Sequence, residues 1–541
     1  MRTLLLLCLS SFLFSNKVVH SFIPVLRDCS FHIKKPGSVV DADTMVILRT
    51  TNKDIPLKAY KSKKQSGEDG SEQDEIRQSP ISTSNPAAPY LNILLPLILV
   101  YVSNQWSRYS ISYLVDFSEA ATPFKAMNVD LGFSQAQYGT LASIAFTVLF
   151  AAASLLAGTL ADKYDRRVLT VGSCIAWSLA ILATSFSADY SQVVVCRIIM
   201  GLMCAFATPS AYTLIRDTFP SDRTASASSL YGAGVYFGGA LSSLSILLDN
   251  QWGWRGTMQT ITVFGLIAAS SAFLLLDPDK KIRKGSSKPR LSTTTSNVGD
   301  ASQTMDSNGK DNTTSLLSGG LSILSSQRVQ LLFLASFLRF CAGLSIAVWA
   351  APYFRLTFPD NAAQYSVINA FIVSVCGFTS SVVGGALADR ASRLVVSRGK
   401  DENFGKLLVP IIGSALAVPA WWMCLHAGTF QASMTWLAIE YLVAECWFGP
   451  VNAVLQSSVE SNKGGLAQGM FVLTGALANL APALLGTWYE SRKIIQGGGG
   501  ESLSTLLGFV VCLAYLTSAI AFTFSALSST DRNKKVESTM Q

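Results

Sequence analysis

The chain has 541 residues, of which 50% are hydrophobic and only 14% charged, and its mean hydropathy is +0.36. An ordinary soluble domain carries about 25% charged residues, so this composition excludes a soluble globular protein and leaves a membrane protein. A formal net charge of +8 could suit a nucleic-acid partner, but the placement of the bases argues against one.

The N-terminus reads "MRTLLLLCLSSFLFSNKVVHSFIP": a base, a short apolar run, then small residues. This is the layout of a signal peptide, too short to span a bilayer well. "HSFIP", with Phe22 after the expected cleavage site, resembles the two-part plastid presequences of algae with secondary plastids, which implies a plastid envelope; the alternative is an uncleaved N-terminus in an endomembrane. Residues 1–88 are expected to be a targeting segment and disordered tail, being poor in apolar side chains from 52 onward.

Twelve apolar runs follow, each near the roughly 20 residues that cross a bilayer. They cover 90–115, 136–161, 167–187, 191–215, 225–248 and 257–276, then 329–354, 365–388, 406–427, 433–456, 464–488 and 502–527. Continuous runs of this length predict helices, not the roughly ten-residue alternating strands of a barrel. The polar stretch 277–328 is expected to be a disordered linker that divides the chain into six-helix bundles at 89–276 and 329–527, with a tail at 528–541. If the helices alternate in direction, Lys163, Arg166, Arg167, Arg216, Arg223 and Lys280 share one face with Arg390, Arg393, Arg398, Lys400, Lys406 and Lys463. The other face has few bases: Lys125, Arg255, Arg355, Arg492 and Lys493. Such an asymmetry orients a protein in a bilayer, and we call the two faces the basic side and the far side.

After its second helix the chain reads "GTLADKYDRR", with Gly158, Asp162, Lys163, Arg166 and Arg167. After the eighth it reads "GALADRASR", with Gly385, Asp389, Arg390 and Arg393. The repetition marks a duplicated six-helix unit, the construction with which secondary transporters build a site at the bilayer midplane. Here the chain resembles the major facilitator superfamily, whose signature is this loop. The resemblance implies a major facilitator fold: all-α, twelve transmembrane helices in two pseudo-symmetric bundles that alternate access, with the loop charges latching the halves in one state. Within the superfamily "SNQWSRYSISYLVDF", "LIRDTFPSDRTASASSLYGAGVYFGGAL" and "WFGPVNAVLQSSVESNKGGLAQGMFVL" are most similar to spinster-like transporters. Asn104 and Arg108 are also a pattern of phosphate and organic-anion symporters, the alternative reading.

Charged side chains inside a membrane helix cost about 2.5–3.5 kcal/mol each on insertion scales and mark function by default. Arg108 in helix 1, Arg197 in helix 4, Arg339 in helix 7 and Glu445 in helix 10 are the main candidates, and the resemblance implies that these four helices line the cavity. Glu445, Asn452 and Gln456 recur at nearly one helical angle, whereas Glu440 lies about 140° away. Arg339 and Glu445 are expected to pair, and Arg197 has a structural alternative, holding its helix to backbone carbonyls. Guanidinium groups match carboxylate and phosphate, so the expected solute is anionic or zwitterionic, an organic anion or a lysolipid-like molecule, with protons as a candidate coupling ion. No enzyme motif is found: neither a phosphate-binding GxxxxGK[ST] loop nor HExxH occurs. No cofactor or metal is expected, no nucleic-acid partner, and a monomer; a non-transporting receptor derived from a transporter is the remaining alternative.

Overall fold

Short loops with a capping side chain set the starts of several helices. Ser134 forms a capping box with Gln137, Asp165 accepts from the amides of Arg167 and Val168, and Asp189, Asp401 and Thr429 cap in the same way. Each satisfies amides that a helix start otherwise leaves open. The computed structural model describes residues 90–219, 221–276, 320–460, 463–496 and 500–528, and helices and turns are its only regular structure among them.

The helices form twelve membrane-crossing bodies. In the first half, α1 is a π turn, an α-helix and a 3-10 turn (Tyr90–Leu94, Leu95–Tyr109, Ser110–Tyr113); α2 is Gln135–Ala142 with Ile144–Lys163. Then come α3 (Arg166–Ser185) and α4 (Tyr190–Cys204 with Ala207–Thr218). Ser221–Gly232 and the start of Gly234–Leu275 make α5, and α6 is the remainder of Gly234–Leu275. The two bodies part at Gly253, whose φ of 69° only glycine adopts readily. The second half contains α7 (Gln327–Thr357), α8 (Ala362–Phe371, Ile372–Gly377 and Phe378–Val396) and α9 (Glu402–His426). It ends with α10 (Phe430–Ala444 with Phe448–Ser458), α11 (Gly464–Ala478 with Leu480–Gln496) and α12 (Gly500–Leu527). By length and composition nine stretches among the described residues can cross a membrane; one of these, Ala227–Leu275, holds two bodies. With α1 and α10, which carry intramembrane charges, they make the twelve expected.

The interruptions follow a pattern. They fall within α2, α4 and α5 and within α8, α10 and α11, the matching members of the two halves. By contrast α3, α9 and α12 are unbroken. Non-helical backbone at membrane depth is tolerated where protein or a cavity surrounds it. Exposed Trp252, Trp422 and Trp488 lie toward the far side, where indole suits the membrane interface.

Three expectations change. Residues 320–323 are helical and Ile323 is buried against Val329 and Phe522, so the end of the supposed disordered linker docks on the second bundle because it carries an apolar side chain to bury. Arg355 is not a loop base: it is buried near the end of α7. The stripe Glu445, Asn452, Gln456 presumes a continuous helix, whereas α10 is interrupted between Ala444 and Phe448, so the angular argument holds only from Asn452 to Gln456. Residues 1–89, 277–319 and 529–541 lie outside the described residues, and with them the targeting segment, most of the linker and nearly all of the C-terminal tail.

Candidate functional site

In the first half the site is built around one phenyl ring. The Arg108 guanidinium lies 4.8 Å from the Phe146 ring centre and the Arg197 guanidinium 5.4 Å from it. Phe146 is held there by a close crossing of α2 and α4: a Cβ on Gly201 would overlap the Phe146 carbonyl oxygen. Arg197 is buried and donates to the Ser107 carbonyl at 3.2 Å and to the Arg108 carbonyl. It therefore takes the structural position foreseen for it, satisfying α1 carbonyls where the helix tightens into its 3-10 turn. Arg108 itself is half-buried and rests on Tyr109, Phe146 and Phe150. Neither arginine has a carboxylate within ion-pair distance among the described residues. Asn104, one turn before Arg108, is buried with its Nδ2 unpartnered. Of the two, Arg108 alone makes no hydrogen bond to another side chain or carbonyl among the described residues.

In the second half the arginine has a carboxylate partner. Arg339 is buried, donates to the Ala444 carbonyl at 2.7 Å and pairs with Glu445 at 3.3 Å, as expected. The carbonyl is available because α10 stops at Ala444. Arg339 also lies 4.8 Å from the Tyr515 ring centre and 5.3 Å from that of Trp447. Glu445 is 30% exposed, whereas Arg339 is buried. Glu440 is 3% exposed and accepts a hydrogen bond from the Tyr515 hydroxyl of α12. It is buried in the bundle, and the same Tyr515 ring lies beside Arg339, so the structure brings Glu440 close to that arginine although its helical angle sets it apart. Asn452 bonds its own helix at the Phe448 carbonyl, and Gln456 reaches Gly464 and Gln468 of α11.

The two halves are joined toward the far side. Tyr138 donates to the Val348 carbonyl at 2.5 Å, and Ser243 and Ser366 exchange bonds of 2.9 and 2.7 Å. Asn369 donates to Tyr113 and Ser243 at 3.1 and 3.0 Å, and the Ala136 amide to Glu490 at 2.8 Å. Backbones of α2 and α11 touch at glycines: a Cβ on Gly139 would lie 3.0 Å from the Pro482 oxygen, and one on Gly486 2.7 Å from the Gln135 oxygen. Arg355 completes this seal, donating to the Tyr113 carbonyl at 2.7 Å and lying 3.3 Å from Asp116 and 3.4 Å from Asp249. These contacts fall in the far-side half of the membrane, while a separate apolar cluster around Trp447, Val451 and Phe471 belongs to the second half alone. The molecule is shut on the far side.

At the basic ends, Arg166 is buried and pairs with Asp217 at the end of α4 at 2.7 Å, within its own half. Arg167 donates to the Phe273 carbonyl and covers its ring. The side chains of Gly158, Asp162 and Lys163 lie outside the described residues, although their helix is described. In the second copy Asp389, Arg390 and Arg393 are exposed and Gly385 half-buried. Sequence reasoning missed Phe146, Tyr515, Asp217 and Asp249. Asp249 alone carried a signal, a carboxylate closing an apolar run before "NQWGWR".

A bundle of twelve helices in two matching halves, with charged side chains at membrane depth, is the architecture of a secondary carrier. The chain belongs to the Major Facilitator Superfamily, whose sequence profile matches residues 97–483; this is a family of transporters, not enzymes. A probable galactarate/D-glucarate transporter of Escherichia coli (strain K12) is 22% identical over 445 residues, 78% of this chain and 92% of its own. A probable anion transporter of Oryza sativa subsp. japonica, named as chloroplastic, is 27% identical over 180 residues, 33% of each chain. Several curated relatives, the rice protein among them, are matched over only about a third of their length. Among solved structures, a bacterial homologue of the human lysosomal transporter Spinster, inward-facing and unoccupied, shares the fold with a TM-score of 0.58 at 17% identity, over 82% of this chain and 96% of that one.

Proposed function

We propose that the protein is a secondary transporter that carries a small organic anion by alternating access. The observation that carries this reading is the pair of guanidinium groups, Arg108 and Arg197, on one phenyl ring with no carboxylate beside them. A carboxylate or phosphate entering from the basic side would meet Arg108 first, since Arg197 is spent on backbone carbonyls. Asn104 supplies a further buried donor. Opposite, Arg339 and Glu445 offer a cation whose partner an incoming anion can replace, and Glu445 is the part-exposed acid for a coupling proton. The names of relatives, an anion transporter, a sulfoacetate transporter and a galactarate/D-glucarate transporter, favour a small anion over a lysolipid. The basic-side loops with Asp162 and Asp389 are the latch of the opposite state.

The test is counterflow into liposomes containing the purified protein, with labelled phosphate, galactarate, sulfoacetate and lysophosphatidylcholine as probes. Saturable uptake of galactarate or sulfoacetate, competed by the unlabelled compound, is expected, and uptake of phosphate alone would select a phosphate carrier instead. Uptake of the lysolipid alone would replace this reading with the lipid one, and no uptake of any probe would favour a receptor.

For location, the signal-like start followed by "SFIP" and relatives named as chloroplastic support a plastid envelope over another endomembrane. Residues 1–88 fused to a fluorescent reporter should enter plastids in an alga with secondary plastids, and Phe22→Ala should divert the reporter to the secretory route. Delivery unchanged by Phe22→Ala would remove the argument.

A further inference from the structure

The far-side seal contains a charge imbalance that the cavity reading does not use. Asp249 of α5 is 0% exposed, and its Oδ1 has no hydrogen-bond partner. Its Oδ2 meets Arg355 of α7 only at 3.4 and 3.5 Å. Arg355 is shared, because Asp116 at the end of α1 lies 3.3 Å from its Nε and the Tyr113 carbonyl takes its shortest bond. Asp116 is otherwise satisfied: its Oδ1 accepts from the Ser118 amide at 3.0 Å, and its backbone is clasped by Asn128 at 2.8 and 2.7 Å. The remaining charge that acts on Asp249 is Lys125, which is half-buried and makes no ion pair among the described residues. The other titratable groups here are Tyr113 of α1 and Tyr365 of α8, both buried. One closely placed guanidinium thus faces two carboxylates, and the better-satisfied carboxylate is not the buried one.

An ionised carboxylate in such a place costs several kcal/mol unless its oxygens are paired. A proton on the open oxygen removes the charge and turns an unmet acceptor into a donor. We propose that Asp249 binds one proton on Oδ1 when the far-side gate is shut, so that closing the gate takes up a proton from far-side water and opening it releases one. The bond made is O–H on Asp249, and nothing else changes covalently. The site is distinct from the cavity, since Asp249 touches none of Arg108, Arg339 or Glu445. Arg355 and Asp249 come from opposite halves, so the arrangement exists only while the gate is shut. If only the shut state holds the proton, the ratio of shut to open molecules rises as pH falls, by up to about tenfold per unit.

Hydrogen–deuterium exchange of the purified protein in lipid nanodiscs tests this without any substrate. Peptides covering 110–117 and 353–369 would be followed at about pD 6 and about pD 8, on either side of the range in which perturbed carboxylates titrate, after correction for intrinsic exchange. In the parent these peptides should be better protected at the lower value. Asp249→Asn, which mimics the protonated acid, should be protected equally at both, and Asp116→Asn, which leaves Arg355 to Asp249 alone, should weaken the parent's dependence. The parent's own response needs no variant, so the proposal is tested even if a variant folds poorly. It is overturned if the parent shows no dependence, if Asp249→Asn retains it, if Asp116→Asn strengthens it, or if Asp249→Asn is unprotected at both values, because then the ionised carboxylate holds the gate.

Discussion

Arg108→Ala should lower anion uptake into liposomes by about a hundredfold in kcat/KM, the equivalent of roughly 2.7 kcal/mol of lost charge-assisted binding, with little change in thermal stability. The two effects separate because Arg108 is half-buried and rests only on the rings of Tyr109, Phe146 and Phe150, so no buried partner is left unmet. Arg108→Lys should recover part of the loss: it restores the charge but neither the two-pronged donor set nor the flat face that lies on Phe146. Arg197→Ala should behave differently and destabilise the protein, since the Ser107 and Arg108 carbonyls would lose their donor. Initial rates at equal protein per liposome decide the matter. Rates for Arg108→Ala equal to those of the parent would remove Arg108 from the site.

Arg339→Ala should be the most damaging single change to the fold of the second half. Removing one member of a buried pair typically costs about 3–5 kcal/mol. Here it would strip the Ala444 carbonyl of its donor at the break in α10 and leave Glu445 without its cation. Glu440 would lose a nearby positive charge at the same time. We expect a lower thermal midpoint in detergent and loss of the monodisperse peak on size exclusion. Glu445→Gln should cost far less stability, because that side chain is 30% exposed and an amide oxygen still accepts from Arg339. An unchanged midpoint for Arg339→Ala would show that the pair contributes nothing to folding.

The twelve crossings were legible because each is a long apolar run, and the two halves because "GTLADK" returns as "GALADR". Intramembrane charge pointed to Arg108, Arg339 and Glu445 for the same reason: such residues are costly and stand out against their surroundings. What the sequence concealed was backbone geometry. Arg197 finds its partners in carbonyls, which every residue possesses. The break after Ala444 alters the angle between Glu445 and Asn452, and its signal, Gly449 and Pro450 in the first turn beyond it, is one that a count of apolar residues passes over. Glu440 and Tyr515 are 75 residues apart. Arg355 looked like a loop base because it closes an apolar run, and only the packing of α1, α5 and α7 buries it.

The interruptions within α2, α4, α5, α8, α10 and α11 divide each of these helices into two levers, while α3, α9 and α12 remain unbroken splints. A rigid helix pivoting at its centre must open one end as it closes the other. Two levers joined at a soft elbow need not: the basic-side arms can swing inward while the far-side arms stay locked by Arg355, Tyr138 and the glycine crossing. The solute can then be enclosed with both doors closed, and a compound that stiffens a single elbow would jam one door while leaving the other free to swing.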